Sequence, residues 1–418
     1  TIGNNSSGVA VIGGTFTGNG TTGDATTGGG VNVYASSNAT ISNIIIDGTI
    51  NASNNTTAGI YLFGDNSNGT NQINNVTIGD TGSVTLTNNG SSNATYNGGA
   101  GVLIFSKVSN AVISHCAFTK GTAQGDGLMN LGDSTSGGSP TGTTVSNSTF
   151  SGYTSARPAV TLTDSLGHHS LNDVTATNNT FTYRVLVRAI LQGPFIGSIG
   201  SMDTLLAKNS LIPLTQPYGT APYNVARFNY GGTETTTSSA LTSNSIVDWV
   251  LIELRATSNG STVAQKAGLL KKDGNLYDVD GTTAGVLMTD TQNGYNLSHY
   301  IVFKHRNHLP VMSAALVALP NATAYDFTSS STTAYVNASL VPVAASALVA
   351  LPSSSLFGIP DGDIDFNGGV GATDISLIVT NVGVLNAYSL YDIDLNGGVG
   401  ASDVSAVVTN VGQQVQVP

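Results

Sequence analysis

The chain contains a single cysteine and few charged residues, and each shortage limits what the protein can be. Cys116 has no second cysteine to pair with, so no intrachain disulfide is possible, and we expect the thiol to be a small buried apolar group. Charged residues make up 9 % of the sequence, whereas about a quarter is usual. No apolar run is long enough to span a bilayer. No basic cluster indicates a nucleic-acid-binding surface.

The charges that are present are separated along the chain. The net charge is −11, and every lysine and arginine lies between Lys107 and Arg306. The segment after residue 358 is acidic and contains no basic residue. Its acids are Asp361, Asp363, Asp365, Asp374, Asp392, Asp394 and Asp403. Because these carboxylates repel one another, bound cations would stabilise the segment.

Several features favour a secreted protein, extracellular or at the cell surface. The chain begins at Thr1 with neither methionine nor a signal peptide, which we interpret as a mature, processed or trimmed form. Asn-x-Ser/Thr acceptor sites such as Asn55 and Asn89 are frequent, which predicts a glycoprotein. A chain so rich in Asn, Ser and Thr also produces many such sites by chance, and its Ser/Thr density leaves O-linked sugar open.

A twelve-residue pattern occurs twice near the end of the chain, at 363–374 and at 392–403. Oxygen-bearing side chains stand at positions 1, 3, 5 and 12, with glycine at position 6, and the same spacing lets a short loop surround a calcium ion. Short apolar segments after each copy predict two helices that pack the loops together. The candidate calcium ligands are Asp363, Asp365, Asn367, Gly369 and Asp374 in the first copy, and Asp392, Asp394, Asn396, Gly398 and Asp403 in the second.

Over about residues 361–413 this pair resembles the duplicated calcium-loop module of dockerins, in a divergent form found at the ends of secreted bacterial surface proteins. The resemblance implies bound calcium and a small helical fold. Both loops end in Asp and not in the bidentate Glu of an EF-hand, so we expect modest affinity. Dockerin helices also bind a cohesin partner, but no residue of this chain identifies one. Chance Asp- and Gly-rich turns are the alternative.

A six-residue pattern recurs from Thr1 to about Thr182, with an aliphatic residue followed five positions later by Phe or Ile. Asn takes the third position in four copies, and His115 takes it in a fifth. The copies begin at Val11, Ile41, Ile73, Ile113, Val145 and Ala176, and the four asparagines are Asn43, Asn75, Asn147 and Asn178. A second short strand precedes each copy after the first, at Val31, Ile60, Val102, Leu128 and Val160.

Strand-rich repeats of this length without a helical period predict a solenoid, in which each turn hydrogen-bonds to the next. We therefore predict a right-handed parallel β-helix over 1–191, resembling the pectate-lyase-like superfamily in architecture. The recurring Asn side chains would form a hydrogen-bonded ladder, with His115 in the same structural role. A β-sandwich is the alternative, because the gaps between strands vary.

The β-helix superfamily includes enzymes and inert shafts, so the fold does not decide the function. Lyases and hydrolases on this scaffold need a base for proton abstraction or closely set carboxylates. Before Arg157 the repeats contain no Arg and no Glu. Their acids are Asp24, Asp47, Asp65, Asp80, Asp126 and Asp133, and their bases are Lys107, Lys120 and His115. Because most of these acids stand in Gly- and Asn-rich turns, we predict that the chain is not an enzyme.

The middle region, 192–358, alternates apolar and polar residues between Gly-containing turns, which predicts an antiparallel β-sandwich with Trp249 in its core. Segments 247–255, 269–281 and 305–312 resemble an adhesin- or haemagglutinin-like module of bacterial surface proteins. Arg306 is expected to pair with Asp248 or Glu253. His305 and His308 are interpreted as structural turn residues, although their spacing admits a metal site. The segments 340–343 and 348–351 predict a last strand.

Together these patterns predict three domains: a β-helix at 1–191, a β-sandwich at 192–358 and a dockerin-like calcium module at 359–418. They favour a structural or adhesive extracellular protein. We expect it to self-associate head to tail into a homopolymer, because strand edges at the ends of a solenoid are unpaired unless they are capped. The alternatives are a glycan-binding adhesin and, less favoured, a polysaccharide lyase or hydrolase. The aromatic residues available to stack on a sugar are Tyr34, Tyr61, Phe63 and Tyr96.

Overall fold

The computed structural model describes the whole chain except residues 20–28, 37, 65–71, 91–98, 123–124, 134–137, 155–156, 164–168, 171 and 341–343. The fold is mostly β, as predicted. It divides into two compact units, a coil unit (Thr1–Tyr183 and Thr289–Asn296) and a second unit (Arg184–Met288 and Leu297–Pro418). The division into three domains stays a prediction. None of the helices in the described ranges is both long and apolar enough to cross a bilayer.

In the described part of the N-terminal half, fifteen strands form parallel sheets, which confirms the predicted β-solenoid. The strands are β1 (Ala10–Thr15), β2 (Gly29–Ala35), β3 (Thr40–Asn51), β4 (Ala58–Gly64), β5 (Gln72–Ile78), β6 (Ser83–Thr87), β7 (Ala100–Ser106), β8 (Val108–Ser114), β9 (Cys116–Thr119), β10 (Asp126–Leu131), β11 (Thr144–Ser146), β12 (Thr149–Ser151), β13 (Val160–Thr161), β14 (Thr175–Thr177) and β15 (Asn179–Val185). One sheet has the order β13-β10-β7-β4-β2, and the other has the order β14-β11-β8-β5-β3-β6-β9-β12-β15, with β1 beside β3.

Apolar side chains stack in register from one turn of the solenoid to the next. The predicted second strands align residue for residue, and all five aligned side chains are buried. They are Val31, Ile60, Val102, Leu128 and Val160. In the other sheet, the ring of Phe150 stacks on Phe118 at 4.5 Å and on Phe181 at 5.2 Å between centroids. Because these columns remove apolar surface from water, their burial stabilises the solenoid.

Asparagine ladders mark the bends of the solenoid. Asn75 Nδ2 donates to Asn43 Oδ1 at 3.2 Å, and Asn110 Nδ2 donates to Asn75 Oδ1 at 3.1 Å. All three residues have φ between 53° and 55°, a left-handed conformation that Asn tolerates better than most residues. A second ladder joins Asn178 Nδ2 to Asn147 Oδ1 at 2.7 Å. The predicted hydrogen-bonded ladder is therefore present.

His115 keeps the predicted ladder position, beside Asn147, but the prediction of a single ladder is wrong, because Asn110 and not His115 follows Asn75. Hydrogen bonding aligns Ile73 with Val108 and Ile78 with Ile113, so Asn110 follows Asn75 in the ladder. His115, with φ of 51°, aligns instead with Asn147. The error arose because two overlapping hexads, 108–113 and 113–118, both match the pattern, and each belongs to a different strand of one turn.

A strand from later in the sequence covers the C-terminal end of the coil unit. Residues 289–293 run antiparallel to 178–182, with Asn178 N donating to Asn293 Oδ1 at 3.0 Å. The hydroxyls of Thr180 and Thr291 lie 2.8 Å apart. The last turn of the solenoid therefore has a hydrogen-bonded cap at this end, which the sequence pattern did not indicate.

Short strands and helices surround one large antiparallel sheet in the second unit. Its strands are β16 (Val187–Arg188), β17 (Phe195–Ile196), β18 (Ser201–Met202), β19 (Ile246–Arg255), β20 (Thr262–Lys271), β21 (Leu276–Tyr277), β22 (Val286–Gln292, shared with the coil unit), β23 (Ser298–His305), β24 (His308–Met312), β25 (Val317–Ala318), β26 (Tyr325–Asp326), β27 (Val349–Ala350) and β28 (Phe357–Gly358). The helices are α1 (Leu205–Lys208), α2 (Ser238–Ser243), the 3₁₀ turn Ser331–Thr333, α3 (Ala372–Asn381) and α4 (Ala401–Thr409).

The large sheet has the order β21-β20-β19-β23-β24, with β25 also pairing with β23. The central strand β19 is buried along nearly its whole length, and Trp249 is fully buried, as predicted. Strand β27 pairs with β28, which confirms part of the predicted last strand. Residues 341–343 of that prediction lie outside the described residues.

Candidate metal centre

Each predicted calcium loop brings three carboxylates together. In the first loop (363–374), ligand oxygens of Asp363, Asp365 and Asp374 all lie within 4.8 Å of one another. In the second loop (392–403), Asp392, Asp394 and Asp403 do the same. The glycines at position 6 have φ of 96° and 92°, the conformation that a sharp turn needs.

The last acid of each loop also organises the following helix. Asp374 accepts hydrogen bonds from the backbone N–H groups of Ile364, at 2.9 Å, and Gly371, at 2.8 Å. Asp403 accepts the matching bonds from Ile393 and Gly400, at 2.6 and 2.7 Å. The two carboxylates thus tie the start of each loop to the N-terminus of its helix, where negative charge is favourable. Helices α3 and α4 contact each other, as predicted.

The predicted ligands at positions 5 and 7 are turned toward one another. Asn367 Oδ1 accepts from Gly369 N at 3.0 Å, and Asn396 Oδ1 accepts from Gly398 N at 2.9 Å. The amide nitrogen of each Asn donates to the Asp at position 3. The structure therefore gathers three acids per loop and does not direct the two Asn oxygens at them.

The first ligand differs between the loops. Asp363 is ion-paired with Arg227, which also donates to the Asp363 carbonyl at 3.4 Å. Asp392 instead accepts from the backbone N–H groups of Asn396, at 3.1 Å, and Gly397, at 3.0 Å. The sequence did not indicate Arg227, because it lies 136 residues before its partner.

Burial raises the pKa of three of the loop carboxylates. It raises the pKa of Asp392 to about 7, although the Arg306 guanidinium opposes the shift. Burial also raises the pKa of Asp363 against the effect of Arg227, and that of Asp403. A bound divalent cation would favour the ionised forms of these groups.

A buried polar network anchors the second loop to the large sheet. Arg306 is fully buried, donates Nε to Asp248 Oδ2 at 2.8 Å and hydrogen-bonds the Ser389 carbonyl. Asn307 Nδ2 donates to the Asp392 carbonyl at 2.7 Å. The predicted pairing of Arg306 with Asp248 is therefore confirmed, whereas the contact of this arginine with the loop was not predicted.

The two histidines of the β23–β24 turn belong to the same network. His305 Nε2 lies 3.1 Å from Asp248 Oδ2, and His305 Nδ1 lies 3.0 Å from His308 Nδ1. Burial lowers the pKa of both imidazoles, although Asp248 opposes this for His305. Neutral, hydrogen-bonded rings at a turn agree with the structural interpretation.

Two acids of the coil unit are engaged by neighbouring turns. Asp47 accepts from the N–H groups of Thr81 and Gly82 and from the Thr81 hydroxyl. Although burial opposes the shift, these bonds lower its pKa to about 2. Asp126 is buried, accepts from Thr161 Oγ1 at 2.6 Å, and has a pKa raised by burial to about 6. Asp24 and Asp65 lie outside the described residues.

The aromatic residues proposed for sugar stacking are mostly occupied. Tyr61 is 1 % exposed and lies in a core cluster, so its prediction as an exposed stacking residue is wrong. Tyr34 stacks on Phe63 at 4.9 Å, and Phe63 stacks on Phe105 at 5.5 Å. Tyr96 lies outside the described residues.

Three further predictions concern side chains whose burial is informative. Cys116 is buried, as expected. The acceptor residues Asn55 and Asn89 are also buried, and Asn55 Nδ2 donates to Asn89 Oδ1 at 3.1 Å. Both side-chain nitrogens, where a sugar would be attached, are buried and donate hydrogen bonds, Asn55 Nδ2 also to the Phe16 carbonyl and Asn89 Nδ2 to the Ala52 carbonyl, so neither is accessible for glycosylation in the folded chain.

Comparison with known proteins adds little. No family model and no curated protein matches the chain. Among solved structures, the chain is similar to two mutants of a type II cohesin–X-dockerin complex from Acetivibrio cellulolyticus. One is an N-terminal interface mutant, and the other is a C-terminal interface mutant. The first match has 15 % identity and a TM-score of 0.24, covering 44 % of this chain and 90 % of that chain. The second has 15 % identity and a TM-score of 0.22, covering 43 % and 90 %. Scores this low carry no argument about fold or function.

Proposed function

We propose that this chain is a non-catalytic extracellular structural or adhesive protein, in which a β-solenoid provides a rigid shaft and the two C-terminal loops bind calcium. The observation that carries the proposal is the use of polar side chains in the coil unit. The Asn43–Asn75–Asn110 ladder bonds each turn to the next. Groups used in this way give rigidity along the axis of the solenoid.

The acids of the coil unit support a structural role. The Asp47 carboxylate is saturated by Thr81 and Gly82, which lie in the next turn. Asp126 is covered by Thr161 and lies 4.0 Å from Arg157. A hydrolase of polysaccharides needs two closely set carboxyl groups that are available to a substrate, whereas these two are buried and engaged by neighbouring turns.

The loops fit calcium by the chemistry of their donors. Three carboxylates within 4.8 Å supply hard oxygen ligands. Asp363 is fully buried, and although Arg227 pairs with its Oδ2, its Oδ1 has no hydrogen-bond partner among the described residues and is left as an acceptor for a metal ion. The residues that would hold the ion are the three acids of each loop, and calcium bound there would neutralise their repulsion.

Calcium removal tests this part of the proposal. A ligand that binds only the folded state at 100 times its Kd stabilises that state by about 2.7 kcal/mol. Chelation should therefore lower the Tm of the second unit, followed by fluorescence of Trp249, the single tryptophan. The double variant Asp363→Ala, Asp392→Ala should melt at the same temperature with and without chelator. If chelator does not change the Tm of the wild-type chain, calcium binding is excluded. If chelator still lowers the Tm of the double variant, the assigned ligands are wrong.

We further propose that the protein assembles head to tail into a homopolymer through the N-terminal edge of the solenoid, because residues 289–293 cap its other end. Strand β1 pairs with β3 on one side, and in the described ranges no strand pairs with its other edge. Ile12, on this strand, is 67 % exposed. Negatively stained images in millimolar calcium should show filaments, and Ile12→Lys, which places a charge on the edge, should shorten or abolish them. Images of the wild-type chain that show dispersed particles and no filaments would contradict assembly. That result would not affect the calcium test.

A further inference from the structure

The two calcium loops have the same residue type at every candidate ligand position but not the same surroundings. Both contain Asp, Asp, Asn, Gly and Asp at positions 1, 3, 5, 7 and 12. The hydrogen bonds at positions 5 and 12 correspond closely, and at position 3 Asp365 accepts one additional bond, from Thr373 Oγ1 at 2.7 Å. The acid at position 1 is the only ligand position in the described residues whose side-chain partner is a charged group in one loop and not in the other, so we expect the main difference in ion binding there.

In the first loop, a positively charged side chain already pairs with one oxygen of the acid at position 1. The Arg227 guanidinium is ion-paired with Asp363 Oδ2, and the Arg227 side chain is only 9 % exposed. It also lies over the ring of Phe366, at 5.2 Å from the centroid, which holds it in place. Asp363 Oδ1 is left without a hydrogen-bond partner in the described part of the chain.

In the second loop, the nearby arginine is engaged elsewhere. The charge of Arg306 is compensated by Asp248, at 2.8 Å, and its contact with the loop segment is with the Ser389 carbonyl. The Asp392 carboxylate accepts its hydrogen bonds from Asn396 N and Gly397 N. Backbone N–H groups carry no net charge, and Arg306, which acts on Asp392 only through space, already has its charge compensated by Asp248. Repulsion of an incoming divalent ion should therefore be weaker in the second loop than beside the direct Arg227–Asp363 pair.

We propose that the two loops are unequal calcium sites, in which the second loop fills first and the first loop fills only in competition with Arg227 for Asp363. The proposal rests on the calcium binding proposed above. An ion held by Asp363 Oδ1 would lie beside a guanidinium, and the repulsion between these charges lowers its affinity. Filling of the first loop therefore weakens the Arg227–Asp363 pair, so this loop responds to calcium over a separate, higher concentration range.

Calorimetric titration of the full chain with calcium chloride tests the proposal. Asp394→Ala leaves only the first loop competent, and Asp365→Ala leaves only the second, so the two single variants are matched. We expect the Kd of the first loop to be at least tenfold weaker. Adding Arg227→Gln to Asp394→Ala should tighten the first loop about tenfold, whereas Arg227→Lys, which keeps the charge, should tighten it much less.

The second loop provides the folding control. Arg227→Gln in the Asp365→Ala background should leave the Kd of the second loop unchanged, which shows that the second unit is intact. Equal affinities in the two single-loop variants would overturn the inequality alone. If the Asp363 carboxylate instead bridges Arg227 and calcium, Arg227→Gln will leave the Kd of the first loop unchanged. This result would overturn the proposed competition. No binding in either loop would overturn the calcium proposal itself, and the inequality with it.

Discussion

In the coil unit a polar residue performs the same task several times, whereas in the second unit each important polar residue has a task of its own. Asn43, Asn75 and Asn110 form equivalent bonds in successive turns. In the second unit, Asp248 alone receives His305, Arg306, Tyr388 and its own chain neighbour, Trp249 N. Loss of one member should therefore be local in the first case and severe in the second.

The two units also differ in whether their polar contacts involve charged groups. Amide ladders bury no charge, so their cost of desolvation is small. A buried ion pair is stable only while both partners are present, because the remaining partner would be left in a medium of low polarity. Loss of one polar side chain should therefore destabilise the coil unit less than the second unit.

The largest expected effect is removal of the Asp248 carboxylate. Asp248→Ala leaves the fully buried Arg306 without its counter-ion, and we expect a loss of about 3–5 kcal/mol from the free energy of unfolding of the second unit. Urea titrations followed by Trp249 fluorescence measure it. Lys266→Ala is the control, since Lys266 is 32 % exposed in its pair with Glu234 and should cost less than about 1 kcal/mol. Equal losses in the two variants would remove the contrast.

The next largest effect is expected from replacing Asp126 in the coil unit. At neutral pH this change should increase the free energy of unfolding, whereas loss of Asp248 decreases it. Burial raises the pKa of Asp126 from 3.8 to about 6. The protonated form is favoured in the fold, so its stabilisation is complete below about pH 4 and is lost as the pH rises through 6. Asp126→Asn keeps the acceptor for Thr161 and should stabilise the coil unit by about 3 kcal/mol at pH 7 relative to wild type.

Thermal unfolding followed by circular dichroism at pH 4, 5, 6 and 7 tests this expectation. The two proteins should be similar at pH 4 and separate progressively at higher pH. Using the difference between them cancels the titration of Asp361 and Asp392, whose pKa values burial raises to about 7. A constant difference across this range would mean that Asp126 does not titrate as described.

The sequence was most informative where residues repeat. The alignment of Val31, Ile60, Val102, Leu128 and Val160 could be predicted, because each residue is preceded by Gly or Ala and separated from the next by one turn of the solenoid. The acids of the two loops could be predicted for the same reason. The place of Asn110 after Asn75 could not, because the hexad pattern fits two overlapping windows and only hydrogen-bond register distinguishes them.

Contacts between distant segments left no sequence signal. Arg227 is 136 residues from Asp363, and residues 289–293, which cap the solenoid, follow more than a hundred residues after the turn that they cover. Each is a single occurrence, with no period to reveal it. The consequence is that ion ligands were found by spacing, while the charge that distinguishes the two loops became visible only in the folded chain.

The smallest expected effect tests whether the ladders of the coil unit are locally replaceable. Asn75→Ala removes the hydrogen bonds to Asn43 and Asn110 and places alanine at φ of 55°, for a loss of about 1–2 kcal/mol. Asn75→Gly loses the same bonds without the conformational cost and should be destabilised by less than about 1 kcal/mol. Hydrogen exchange of peptides that cover β5 and β8 measures both, with peptides from β19 as the reference. Because the remaining turns keep their own bonds, faster exchange should be confined to the neighbouring strands, and faster exchange throughout the coil unit would show that its repeats are as interdependent as the network around Asp248.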